Sequence, residues 1–107
     1  MTSIADREKR VGLHLTVDVS GLNSNGAPFA ESARTLNISG GGVCFESHQH
    51  LVGGQRLTLH IQLPPPLRKH FGGRSVYRAR AVICRIERFE GEPVSRIGAR
   101  FLGELEA

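Results

Sequence analysis

The sequence predicts an all-β domain: a small six-stranded antiparallel β-barrel preceded by a flexible N-terminal arm. Three observations lead there. Apolar residues recur at period two in several short segments, as they do on the buried face of a strand. Glycine- and proline-marked breaks separate those segments. No stretch carries the apolar stripe of a packing helix. Closing the strands into a barrel is the economical arrangement, because closure removes exposed edges.

Residues 1–10 are polar and charged and read as the arm. The barrel is expected over residues 11–103, with 104–107 as a C-terminal tail. Val11, Leu13, Leu15, Val17 and Val19 alternate with Gly12, His14, Thr16 and Asp18, which gives the first strand. Ser20 to Ser32 breaks the alternation and reads as a long loop or a loose hairpin extension. Its Asn25-Gly26 pair is a turn signal, since both residues tolerate positive φ. Ala33 to Asn37 is a short second strand, Ile38 to Gly42 turns the chain, and Val43 to Ser47 is the third strand.

After a connection ending in Gly53-Gly54, Arg56 to Leu63 places Leu57, Leu59, Ile61 and Leu63 on one face. Pro64-Pro65-Pro66 ends this strand, because proline cannot donate to a ladder. Leu67 to Arg74 is basic and glycine-containing and reads as a mobile loop. Ser75 to Glu87 is the longest strand. Its apolar residues change parity, so a bulge is expected near Ala79 to Val82. Arg88 to Val94 is a turn, and Arg96 to Leu102 is the last strand, with Ile97, Ala99 and Phe101 sharing a face.

A chain of 107 residues, 39% hydrophobic, is one domain with a thin core. That argues against a large enzyme with a deep, self-built active site. Nothing approaches the 18 consecutive apolar residues of a membrane span, and the first ten residues lack the apolar run of a secretory signal. A cytoplasmic location is expected. The net charge is +4, and 12 of the 14 basic residues are arginine. Arginine holds phosphate or carboxylate bidentately and stacks on flat rings. This favours an anionic or nucleotide-like partner over a merely solvated surface. Cys44 and Cys84 fall in apolar strand-like runs without CxxC spacing and read as buried thiols.

No enzyme activity is expected, since HExxH, P-loop, GxSxG and dinucleotide fingerprints are all missing. His48 and His50 form an HxH pair with no third ligand beside them, so no metal is expected. His14 and His60 have outward parity and read as solvated. The run Asn37-Ile-Ser39-Gly-Gly-Gly42 admits two readings. Its exposed N–H groups could form an anion nest, or Asn37 and Ser39 could satisfy the backbone of a tight hairpin. The arm Asp6-Arg7-Glu8-Lys9-Arg10 is either an ordinary tail or a segment that folds onto a ligand on the barrel wall.

Together these segments resemble the PilZ domain family, bacterial receptor modules for cyclic di-GMP. The family's second motif is Asp or Asn, any residue, Ser, two residues, Gly, and Asn37, Ser39 and Gly42 complete it. The closing Arg96-Ile-Gly-Ala-Arg-Phe101 is similar to the family's last strand, so the resemblance runs from residue 6 to about 102. The first motif is Arg, three residues, Arg, directly before the first strand. Arg10 matches its second arginine, but Asp6 stands where the first belongs, and Arg7 is one residue late.

The resemblance implies a nucleotide-binding protein with cyclic di-GMP as ligand and no cofactor. Arg7 and Arg10 would grip guanine and phosphate, Asn37 and Ser39 would hydrogen-bond guanine and sugar-phosphate, and Gly42 would let the backbone approach. Arg34 and either Arg78 or Arg80 are further candidates. It also implies signal transduction to an effector protein in motility, biofilm or exopolysaccharide control, from a domain expected to be monomeric. Asp6 leaves open an alternative, a degenerate PilZ-like interaction module with weak or no nucleotide binding. No nucleic acid is expected as partner, because a chain with no Trp and one Tyr lacks exposed stacking platforms.

Overall fold

Alternating apolar residues set the strands of the computed structural model, which describes residues 14–105. Six strands form: β1 (Thr16–Leu22), β2 (Pro28–Ile38), β3 (Gly42–Ser47), β4 (Arg56–Gln62), β5 (Val76–Arg88) and β6 (Ser95–Glu104). All neighbours are antiparallel, and the sheet closes on itself in the order β1-β2-β3-β6-β5-β4. Val17, Val19, Phe45, Leu57, Leu59, Ile61, Ile83 and Ile97 fill the interior, each at most 2% exposed. Ala79 and Ala81 on β5 also face the interior and are fully buried. Among the described residues no helix is long and apolar enough to cross a membrane.

The segment from Ser20 to Ser32 is the hairpin extension of the two readings and not the long loop. β1 runs on to Leu22, the chain turns at Asn23 to Ala27, and β2 begins at Pro28. Asn23 Oδ1 accepts from the backbone N–H groups of Asn25 and Ala27, and Gly26 takes the left-handed φ of 80°. The alternation was hidden by Glu31, a carboxylate at inward parity opposite Val19. Its oxygens are satisfied there by the Ser47 hydroxyl at 2.6 Å and the His48 N–H at 2.8 Å. A buried charge with full hydrogen bonding is tolerable; an unpaired one is not.

Leu67 to Arg74 is likewise built rather than loose. Pro65–Arg68 forms a short helical turn, α1, followed by a 3₁₀ turn over Lys69–Phe71. Leu67 is buried, Arg68 Nε donates to the Leu63 carbonyl at 3.1 Å, and Arg74 pairs with Glu104. Phe71 packs on Tyr77 and Tyr77 on Phe101, with ring centroids 4.9 and 5.2 Å apart. Tilted and edge-to-face ring contacts of this kind hold a connection that composition alone marks as mobile.

Burial pushes the Tyr77 hydroxyl above its ordinary 10.0; the nearby Glu104 carboxylate adds to the shift and Arg74 opposes it. An unfolded chain therefore releases this proton first, and stability falls as pH rises past 10. We expect the urea midpoint to drop in that range, and Tyr77→Phe to flatten the drop. An unchanged slope in the variant would refute the assignment.

The parity change in β5 comes later than its sequence suggests. Ile83 pairs with Ala99 and Arg85 with Gly98, so the extra residue on β5 is Cys84. Near Ala79 to Val82 the register also shifts, but there the additional residue, Leu102, belongs to β6. Cys84 follows the inward Ile83 and is exposed rather than buried, and the bulge keeps the next residue, Arg85, outward as well. Cys44 is half-buried, and neither cysteine forms a disulfide.

Candidate functional site

Strand parity decides which side chains meet on the outer wall of β2, β3, β6 and β5, and of the three register shifts there, those at Leu36 and Cys84 bear on the site. In β2 the register shifts between Thr35 and Asn37, leaving Leu36 as the extra residue. Thr35 points inward and is fully buried, with its hydroxyl accepting from the Leu15 N–H at 2.8 Å. Without the bulge Asn37 would share that inward face. With it, Asn37 lines an outer cleft and Ile38 enters the core. The Cys84 bulge does the same for Arg85. Bulges beside a binding site commonly re-aim a side chain in this way.

The cleft has a volume of about 370 Å³, within the range of small-molecule sites. Gly98 lies between Cys44 on β3 and Arg85 on β5, and Gly42 lies opposite Arg100. The two glycines leave the middle of the wall without side chains. Asn37, Arg85, Arg96, Arg100 and Glu87 rise around it. Arg96 is held in place: its guanidinium sits 5.1 Å from the Phe89 ring centroid and 3.7 Å from Glu87. Arg100 has no ion-pair partner among the described residues. Three arginines against one glutamate make the cleft positive. Their forks match the edges of guanine and the oxygens of phosphate.

Ser39 serves the turn. Its hydroxyl oxygen accepts from the N–H groups of Gly41 at 3.1 Å and Gly42 at 3.2 Å, and its own N–H donates to the Gly42 carbonyl at 2.9 Å. Those glycine N–H groups are therefore engaged, and the anion nest suggested by the sequence does not form. The positive-φ glycines of the described residues are Gly26, Gly54, Gly72, Gly73 and Gly91, all in other turns. Ser39→Ala strands two N–H groups and is expected to lower unfolding free energy by about 1 kcal/mol. Urea unfolding without ligand measures this, and a change near zero would show that the hydroxyl is dispensable to the turn.

Gly42 has a packing reason of its own. A Cβ there would overlap the backbone carbonyl oxygen of Ala99 on the adjacent β6. Asn37 makes no side-chain hydrogen bond among the described residues, which leaves its amide available to the cleft.

The structure thus brings Asn37, Ser39 and Gly42 together on one cleft. Arg34 stands outside it, on the outer face of β2 directly opposite Glu46. Arg78 and Arg80 are exposed on the outer face of β5 and do not line the cleft. Arg7 and Arg10 lie outside the described residues. His48 contacts Glu31 at 3.4 Å, and among the described residues no three potential ligands gather for a metal. Sequence reasoning missed Arg85, Arg96 and Arg100. The alternation Arg96, Gly98, Arg100 was visible as an outward face, but which strands flank it was not.

A family model described as PilZ domain matches residues 6–107. No curated protein matches the sequence. Among solved structures, the inhibitor of motility MotI/DgrA from Bacillus subtilis superimposes with a TM-score of 0.66 at 19% identity, over 90% of this chain. The PilZ domain of YcgR from Escherichia coli, solved with c-di-GMP, does so with a TM-score of 0.57 at 16% identity, over 91%. The chain spans 42% of the length of the Bacillus protein and 77% of the Escherichia coli domain. At these identities the likeness is one of fold.

Proposed function

The chain belongs to the PilZ domain family, and from that premise we propose that it is a receptor that binds cyclic di-GMP and relays it to an effector protein. The observation that carries this reading is the cleft itself, where Asn37 of the complete second motif faces Arg85, Arg96 and Arg100. Cyclic di-GMP presents two phosphates and two guanines. An arginine fork matches guanine O6 and N7, and a guanidinium plane stacks on a base. Arg96, already over the Phe89 ring, is the stacking surface, and Arg100 is the phosphate partner. Ser39 acts through the turn that places Asn37 and Gly42. The fold likeness to a domain solved with c-di-GMP supports the same assignment.

The arm completes the site in this reading. His14 and Leu15 hydrogen-bond to Thr35, two residues before Asn37. Arg10 is four residues upstream of His14, so it is tethered within about 14 Å of that point. Ligand binding then draws the arm across the barrel wall and changes the surface offered to the effector, a common form of switching. Asp6 weakens the grip, because a carboxylate repels phosphate.

Isothermal titration calorimetry of the chain with cyclic di-GMP, with GTP as control, tests the proposal. Micromolar or tighter binding with a defined stoichiometry is expected, and Asp6→Arg should tighten it. No heat from a demonstrably folded protein would overturn it in favour of the interaction module that Asp6 suggests.

A further inference from the structure

The β4–β5 hairpin carries a second positive surface, separate from the cleft. β4 turns Arg56, Thr58 and His60 outward, and β5 turns Arg78 and Arg80 outward beside them, with His60 opposite Arg78 and Thr58 opposite Arg80. Lys69 extends the charge into the turn at the end of the hairpin. None of Arg56, Lys69, Arg78 and Arg80 has an ion-pair partner among the described residues. Arg74 and Arg96, by contrast, both have one. Gathering unpaired cations on one wall costs self-repulsion, so the arrangement suits a partner that neutralises it.

The apolar residues around this wall indicate the partner's class. Leu102, 43% exposed, is the bulge residue of β6 beside Arg80; Leu22, 52% exposed, ends β1 next to Arg56. Arginine is enriched in protein interfaces, where lysine is depleted, and the two leucines give the wall apolar contact area beside its charges. Single-stranded nucleic acid would want exposed rings, yet Phe71, Tyr77 and Phe101 pack on one another. We infer that the outer wall of the β4–β5 hairpin docks the acidic face of a partner protein, its carboxylates on Arg56, Arg78 and Arg80 and its apolar side chains against Leu22 and Leu102.

Nitrogen-15 NMR of the full chain without nucleotide tests this independently of the receptor reading. Three probes are titrated: a peptide of glutamates and leucines, an oligothymidylate, and phosphatidylglycerol vesicles. The peptide should give saturable shifts along β4 and β5, and Arg78→Glu with Arg80→Glu should weaken it about tenfold or more. If the reversal does not fold, Arg78→Gln with Arg80→Gln should still weaken it measurably. Three results would overturn the inference: peptide shifts centred on Arg85, Arg96 and Arg100; no saturable shift; or tighter binding of oligothymidylate or vesicles at the same wall.

Discussion

Arg100→Glu is expected to weaken cyclic di-GMP binding about 100-fold, a loss of about 2.7 kcal/mol, while leaving the thermal midpoint nearly unchanged. Arg100 is exposed on β6 opposite Gly42, so its side chain contributes little to the barrel and projects over the open middle of the cleft. Removing a charge-assisted hydrogen bond costs about 1.5–3 kcal/mol, and the new carboxylate adds repulsion toward phosphate. Arg100→Lys keeps the charge and loses the planar fork, so an intermediate loss of about five- to tenfold is expected. Calorimetry on both variants at one salt concentration measures the series. A loss under about threefold for the glutamate variant would remove Arg100 from the phosphate contact.

Gly42→Ala should destabilise the domain by about 2–3 kcal/mol, and the loss should appear with no nucleotide present. The added methyl meets a backbone carbonyl of β6, which cannot swing aside as a flexible side chain would. At this chain length that loss lowers the thermal midpoint by roughly 10–20 °C. Gly40→Ala is the control. Nothing lies within 4 Å of a Cβ at Gly40 and its φ is ordinary, so a change within about 0.5 kcal/mol is expected. A Gly42→Ala protein of normal stability that fails to bind would mean that this glycine serves ligand approach instead of strand packing.

The barrel was legible because most strands alternate without interruption. Leu57, Leu59 and Ile61 declare β4, and Ile97 and Ala99 declare β6, on spacing alone. A bulge near Ala79 to Val82 was legible from the parity change, and the register does shift there, but the insertions at Leu36 and Cys84 and the inward charge of Glu31 were not. Glu31 made a strand look like a loop, and its remedy, the Ser47 hydroxyl and His48 N–H, lies on a segment sixteen and seventeen residues away. Leu36 and Cys84 each shift a strand by one residue, and a one-residue shift exchanges inside for outside. The motif residues could be named from resemblance. The arginines that face them could not, because β6 lies between β3 and β5 only through long-range pairing.

That pairing also fixes when in the life of the molecule the cleft exists. Its central seam joins β3 to β6, with Gly42 against Arg100, 58 positions apart in the chain, and their meeting carries a loop-closure cost. Local hairpins such as β1–β2 and β4–β5 close early, whereas the β3–β6 seam belongs to the slow, topology-limited end of folding. A nascent chain still lacking β6 has half a cleft and nothing to hold a ligand. An occupant therefore cannot guide the chain toward its fold; it can only retain a chain that has already arrived. At 100 times its dissociation constant it adds about 2.7 kcal/mol to the completed barrel alone. The cellular lifetime of this protein should rise with the concentration of whatever fills the cleft, with partly folded copies left to proteolysis.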